Sequence, residues 1–303
     1  MSWTRRFVVH GVFWRRLLHF AVLNVPYWTE PVVIALWTLF FLVWGPGRRA
    51  VMVNLRSILP DSHAFVNLFR VYRVMWNFAW TIGDNVRFKE LRVVPDWEFA
   101  GREHFENMRN EPGGAIILTA HMGSYDLGAH LFAQLSKRRI VMVRAPESDP
   151  RTREYEEKRI AVPESLKIDF STRSSELALD LLHALQRGEI IAIQGDRVTP
   201  GISTLPATLF GRKTSIPAGP FALSMAARVP IYPLFIVRLG RRSYRLVVGA
   251  PFRVERTRDR AASFEAAVAQ WTRELEHVIR EGWFQWYAFE AFEEQQSADE
   301  EAA

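Results

Sequence analysis

The sequence predicts an α/β fold: one main domain with a mixed sheet flanked by helices, preceded by an N-terminal apolar helix. Three observations carry this. From Trp97 onward, short apolar runs alternate with stretches of helical period. An uncharged run, PVVIALWTLFFLVWGPG from Pro31 to Gly47, stands ahead of them. No internal repeat or low-complexity stretch divides the middle of a 303-residue chain, which is enough to bury one large core. The chain divides into 1–47, a membrane-anchoring segment; 48–290, the main domain; and 291–303, an acidic tail expected to be disordered.

The anchoring segment is read from its flanks as well as its apolar run. Met1 to Leu18 mixes apolar and aromatic residues with two arginine pairs, Arg5-Arg6 and Arg15-Arg16. Trp28, Trp37 and Trp44 punctuate the stretch up to Gly47, and Arg48-Arg49 close it. A spanning helix needs roughly 20 apolar residues, with a lower limit near 17. The run sits at that limit, and extending it backwards meets Glu30, Pro26 and Asn24. A span and a monotopic anchor with basic residues at the headgroups both fit. A buried core helix accounts less well for the tryptophans and flanking arginines. The segment does not resemble a cleaved signal peptide, since its apolar core starts late and no small-residue cleavage site comes after it. Positive charge on both flanks leaves orientation open.

The main domain opens with RRAVMVNLRSILPDS, a basic helix ending before Pro60, then a helix from Ser62 to Asp84 capped by Asp61 or Ser62. The second helix carries an aromatic face that includes Phe69, Tyr72, Trp76 and Trp80. GGAIILTA (Gly113 to Ala120) is a strand ending at His121, followed by a helix with Leu127, Leu131, Phe132 and Leu135 on one side. IVMVRA (Ile140 to Ala145) is a strand, Ser175 to Gln186 a helix, and EIIAIQG (Glu189 to Gly195) a strand ending at Asp196. Ala218 to Ala227 is a helix, VPIYPLFIV and YRLVVGAPF are strands, and Phe264 to Glu281 is a long closing helix. Active groups in such folds gather at the carboxyl ends of strands, where His121 and Asp196 both fall.

Composition removes several chemistries. The chain has no cysteine, so disulfides, thiolate ligands and a cysteine nucleophile are excluded. The net charge of +6 suits nucleic acid, anionic lipid or an acidic protein, and composition does not choose among them. No nucleic-acid-binding motif is present, and the arginines are scattered among apolar segments, so nucleic acid is not an expected partner. There is no metal-ligand cluster, Walker loop or dinucleotide fingerprint, and no GxSxG elbow for a nucleophilic serine. Neither a metal nor a cofactor is expected.

The densest chemistry lies in His121-Met-Gly-Ser-Tyr-Asp126. The histidine leaves a strand, Gly123 allows a tight turn, Ser124 can cap the next helix, and Asp126 sits in its first turn, where the dipole favours a carboxylate. The turn can fold that carboxylate back onto the imidazole, leaving the other ring nitrogen to take a proton from a hydroxyl. A satisfied histidine beside a capping serine is the plainer alternative. The position of the block at a strand-to-helix turn favours the chemical one.

The chain resembles the lipid A biosynthesis acyltransferase family, and with it the related phosphatidylinositol mannoside acyltransferases. GPGRRAVMVNLRSILPD is similar to the family's Arg-x-x-x-x-Asn-Leu segment, and AIILTAHMGSYDLGA to its HxxxxD/E block. VRAPESDPRTREYEEKR, EIIAIQGDRVTPGI, LFGRKTSIPAGPFALSMAARVPIYPLF and the tryptophan-rich EGWFQWYAF come next, in family order. The match runs from about Arg48 to Phe289. Many lipid A enzymes carry glutamate where this chain has Asp126.

The resemblance implies a glycerolipid-acyltransferase-like fold at the cytoplasmic side of a bacterial inner membrane. The enzyme would move a fatty acyl chain from acyl carrier protein or coenzyme A to a hydroxyl of a lipid or glycolipid such as a lipid A precursor. It implies His121 as general base and Asp126 as its partner, with Arg159 and Asp196 around the site. Arg212 and Lys213, two cations in the Phe210–Lys213 turn that suit a phosphate, are further substrate-binding candidates, as are Arg144 at the end of its strand and Arg197 directly after Asp196. A different acceptor stays open: a lysophospholipid, a phosphatidylinositol mannoside or an amino-acid-linked lipid. So does a non-catalytic scaffold at the membrane surface.

Overall fold

The computed structural model describes residues 12–45, 47–60, 63–136, 138–144, 149–157, 165–170, 175–199 and 201–292. Arg5, Arg6, Asp61, Ser62, Arg159 and residues 293–303 lie outside them, so the two proposed helix caps, one site residue and most of the acidic tail do too. Ala291 and Phe292, which the sequence assigns to the tail, are buried against the core.

Four helices come first: α1 (Val12–Asn24), α2 (Glu30–Trp44), α3 (Arg48–Ile58) and the long α4 (Ala64–Leu91). Next are β1 (Asp96–Ala100), α5 (Arg102–Asn110), β2 (Ala115–Thr119), α6 (Tyr125–Ser136), β3 (Ile140–Arg144), α7 (Pro150–Glu157) and β4 (Leu166–Phe170). The remainder is α8 (Ser175–Gln186), β5 (Ile190–Gln194), β6 (Thr204–Leu209), β7 (Arg212–Pro217), α9 (Gly219–Ala227), β8 (Ile231–Gly240), β9 (Ser243–Val248) and α10 (Arg260–Gly282). The expected α/β architecture is present. Seven strands form one sheet in the order β1-β9-β8-β2-β5-β3-β4, and β6-β7 is a separate hairpin. From β8 to β4 all neighbours are parallel; β9 runs antiparallel to β8, and β1 parallel to β9.

The strand period of two sorts side chains into two cores. Along β2, Ile116 and Leu118 enter a cluster with Leu181 and Leu185 of α8, Phe221 of α9 and Trp271 and Leu275 of α10. Ala115 and Ile117 face the other way, into a cluster with Phe105 and Met108 of α5 and Leu127 and Phe132 of α6. With both faces covered, every residue of β2 is buried, which is why AIILT reads as a continuous apolar run.

The N-terminal segment departs from one long anchor. Among the described residues no single helix is long and apolar enough to cross a membrane. The 15 residues of α2 span about 22 Å, short of a ~30 Å hydrocarbon core. Instead, α1 and α2 lie against α4 and leave large apolar side chains in the open. Phe13, Phe20, Trp28, Val32, Leu36, Val43 and Trp44 are exposed, as are Phe65 and Phe69 at the start of α4. Glu30, which counts against a span, is only 4% exposed. It forms ion pairs with Arg87 of α4 and with Arg241 after β8, the latter at 2.8 Å.

Candidate active site

The site is assembled by strand register. β2 and β5 are adjacent and parallel, with Thr119 opposite Gln194. Two residues further along each chain stand His121 and Asp196, so the pairing that builds the sheet sets them side by side. His121 Nδ1 lies 2.8 Å from Asp196 Oδ1, and the His121 main-chain N–H donates to Oδ2 at 3.0 Å. Trp286 Nε1 donates to the same Oδ2 at 2.9 Å. Burial pushes the Asp196 carboxyl up, but the His121 charge and hydrogen bond, Arg197 and Trp286 outweigh it and hold the group well below the carboxylate range. The acid is therefore ionised. Its side chain is 1% exposed against 24% for His121, so the imidazole reaches solvent over a buried anion.

The expected partner is elsewhere. Asp126 occupies the first turn of α6 as predicted, but its carboxylate faces Arg144 at the end of β3, Oδ1 to guanidinium nitrogen 3.3 Å. Burial raises the Asp126 carboxyl, and Arg144, Lys89 and His130 overcome this to leave it below its ordinary value. Ser124 likewise does not serve as the expected cap through its side chain: its hydroxyl donates to Asn85 Oδ1 of α4 at 2.6 Å. Gly123 has φ +55°, and a Cβ there would fall 1.6 Å from the Ile236 carbonyl oxygen of β8. Only glycine fits that approach.

The closing WFQWYAF segment frames this turn. Tyr287 N–H donates to the His121 carbonyl at 2.8 Å, and Gly123 N–H to the Gln285 carbonyl at 3.1 Å. The Gln285 side chain is fixed by bonds to both main-chain groups of Arg238, at 2.6 and 2.7 Å. Asn54 of the Arg-x-x-x-x-Asn-Leu segment donates to the carbonyls of Ala288 and Glu290, at 3.0 and 2.9 Å. Two blocks far apart in sequence thus meet behind the histidine.

The sequence profile of the bacterial lipid A biosynthesis acyltransferases matches residues 17–291. The chain belongs to that family. A search of curated proteins returns no match. In this acyltransferase, then, the HxxxxD block, the strand that ends at Asp196 and the tryptophan-rich closing segment meet at the carboxyl ends of β2 and β5.

The other candidate residues of the acyltransferase divide. Arg197 lies beside the pair and donates to the Tyr287 carbonyl at 3.3 Å. Arg212 and Lys213 are exposed where β7 begins, just after the hairpin turn at Phe210-Gly211. That turn is seated on α10 by a bond from Phe210 N–H to Glu276, and the Phe210 ring lies 6.5 Å from that of Trp286. Among the described residues no group of three or more His, Asp or Glu side chains is arranged to hold a metal. Between α6 and the sheet runs a cleft, apolar inside, with Ile117, Phe132, Met142 and Ile236 among its walls. Thr119, Tyr125, Arg144 and Gln194 give it a polar collar. Tyr125 sits edge-on to His121, ring centroids 5.9 Å apart.

An imidazole whose Nδ1–H is held by a buried carboxylate carries its lone pair on Nε2. That is the arrangement of a general base for a hydroxyl. Trp286, Gln285 and Tyr287 carry no sequence signal of this beyond their place in a tryptophan-rich block. Asp196 has one, since it ends an apolar strand as His121 does.

Proposed function

We propose that the protein transfers a fatty acyl chain from a thioester, on acyl carrier protein or coenzyme A, to a hydroxyl of a membrane lipid or glycolipid such as a lipid A precursor. The observation that carries this is the His121–Asp196 pair, with Nε2 left for substrate. His121 Nε2 takes the proton of the acceptor hydroxyl as its oxygen attacks the thioester carbonyl. The C–O bond forms, the carbonyl π pair moves to oxygen, and collapse expels the thiol, which leaves with the proton from the imidazolium. Asp196 fixes the tautomer and balances the imidazolium. Asp126 acts one step back, by holding Arg144 at the mouth of the cleft.

The acceptor is reached from a membrane surface. The exposed side chains of α1, α2 and the start of α4 suit shallow insertion into the headgroup boundary, with Trp28 and Trp44 as interfacial anchors. We place the protein on the cytoplasmic face of the inner membrane, where both thioester donors are made. The test is transfer of a labelled acyl chain from each donor to extracted lipids. Wild-type protein should transfer and folded His121→Ala should lose about 10²–10⁴-fold in rate. Near-normal transfer by His121→Ala would refute the mechanism.

A further inference from the structure

The charge that the first three helices show to solvent has one sign. Glu30 is the only acidic residue before Asp61. It is buried between Arg87 and Arg241. Arg48, Arg49 and Arg56 of α3 are exposed, and among the described residues none of the three has a carboxylate partner. Arg48, Met52 and Arg56 are spaced by one turn each and share a face, with Arg49 beside them. Arg56 accordingly meets the Met52 sulfur at 4.0 Å. The other face of α3, with Val51, Leu55 and Ile58, is buried. In the chain this basic row stands between exposed Trp44, at the end of α2, and exposed Phe65 and Phe69, at the start of α4. Arg48 donates back to the Leu42 carbonyl of α2 at 3.2 Å, which ties the row to the apolar helix.

α2 is also held at both ends. Glu30 fixes its start to α4 and to the turn after β8, and Asn54 of α3 fixes the far side to the Ala288 and Glu290 carbonyls. The helix therefore lies along the body and offers Val32, Leu36 and Val43 sideways, the posture of an in-plane anchor. We propose that Arg48, Arg49 and Arg56 seat the phosphates of anionic lipid headgroups, so that the protein docks on an anionic leaflet in preference to a neutral one. The inference rests on the membrane-surface reading above and names the lipid class that surface takes. Guanidinium groups suit phosphate oxygens, and an arginine at an anionic surface strengthens binding by about fivefold, so three give about 10²-fold. The docked leaflet lies close to the chemistry: Phe13, Leu17 and Phe20 of α1 are exposed, while Arg15 of the same helix acts on the Asp126 carboxylate of α6.

The test is sedimentation of the full chain with vesicles of phosphatidylcholine alone, or of phosphatidylcholine and phosphatidylglycerol in equal parts. Three proteins are compared: wild type, the triple variant Arg48→Gln, Arg49→Gln, Arg56→Gln, and a control that removes the same charge elsewhere. The control is Arg256→Gln, Arg258→Gln, Arg260→Gln, all exposed, in the stretch after Phe252 bridges the amino end of β8. At low salt wild type should bind the mixed vesicles about 10²-fold more tightly than the neutral ones, and the preference should shrink as salt shortens the screening length to ~3 Å near 1 M. The α3 variant should lose most of that preference, keep its binding to neutral vesicles and melt as wild type does. The control should keep the preference. Equal wild-type binding to both vesicles, within about threefold, overturns the proposal and leaves the membrane-surface reading standing. So does an α3 variant that keeps the preference, or a control that loses as much. If the α3 variant binds vesicles normally but loses transfer from acyl carrier protein in detergent solution, the row docks the carrier and the proposal is wrong. Wild type that sediments with neither vesicle refutes the membrane-surface reading itself, and the proposal with it.

Discussion

Replacing Asp196 by asparagine separates the two carboxylates. In the native protein Oδ1 meets one donor, His121 Nδ1, while Oδ2 meets two, the His121 main-chain N–H and the Trp286 indole. Asparagine has one oxygen for these three donors. Wherever its NH2 group is placed, a donor faces a donor inside a buried site. The least costly relief moves the imidazole proton from Nδ1 to Nε2, the nitrogen that the proposed mechanism needs as the acceptor. Changing the carboxylate of a Ser-His-Asp site to an amide costs about 10⁴ in kcat, and the same tautomer argument predicts a similar loss here, about 5.4 kcal/mol of transition-state stabilisation. Stability should change with a definite sign. The folded value of Asp196 is depressed, so its contribution is fully present above the unfolded carboxylate value, about 3.9, and is lost as pH falls through the folded one. Asp196→Asn should therefore melt below wild type at pH 5 to 8, with the gap narrowing in stronger acid. Single-turnover transfer of a labelled acyl chain, with circular dichroism melts across pH, measures both. Asp126→Asn, acting through Arg144, should lose no more than about 10²-fold, the scale of a misplaced neighbour. If Asp196→Asn keeps a tenth of wild-type rate, or Asp126→Asn is the worse of the two, the assignment of Asp196 as the imidazole's partner is wrong.

Other perturbations test the scaffold. Gly123→Ala forces a Cβ into the Ile236 carbonyl at positive φ, and should cost about 1–3 kcal/mol in a denaturant melt along with most of the activity. Glu30→Ala removes the buried carboxylate that pairs with Arg87 and Arg241, and a loss of about 3–5 kcal/mol should show as a lowered unfolding midpoint. Replacing Trp28, Leu36, Trp44 and Phe69 together by serine should release the protein from sedimenting lipid vesicles while its melting temperature stays near wild type, because these side chains are already exposed. Wild type recovered wholly in the supernatant would refute the membrane-surface reading. Rates with acyl carrier protein should fall as salt rises, if the basic surface steers an acidic carrier.

The strands and helices with clear periods are legible in the sequence, and Ser175–Gln186 agrees to the residue. Departures have physical causes. α4 runs on to Leu91 because Val86 and Arg87 are buried; an arginine paired with a distant Glu30 looks like a surface residue in the sequence. α7 and β4 escape a pattern reading because α7 is mostly polar and LKIDF, at the sheet edge, alternates only briefly. Of the site, His121 and Asp196 are visible as polar residues ending apolar strands. That they touch depends on β2 and β5 being neighbours, a long-range fact that local pattern does not hold. Proximity in sequence favours Asp126 instead, and Arg144, one strand away, claims it.

The frame behind His121 also sets a timetable. Asn54 and the Ala288 carbonyl it holds are separated by 234 residues, and Trp286 and Asp196 by 90. A ribosome reading this message delivers all seven strands of the sheet before it delivers Gln285, Trp286 and Tyr287. Until then the histidine turn lacks the hydrogen bonds from Tyr287 and to Gln285, and Asp196 lacks its indole donor. A nascent chain can have a nearly complete core and still hold no aligned base. Alignment of the histidine is thereby deferred until the closing segment has been made, and a chain broken shortly before residue 285 should lack it.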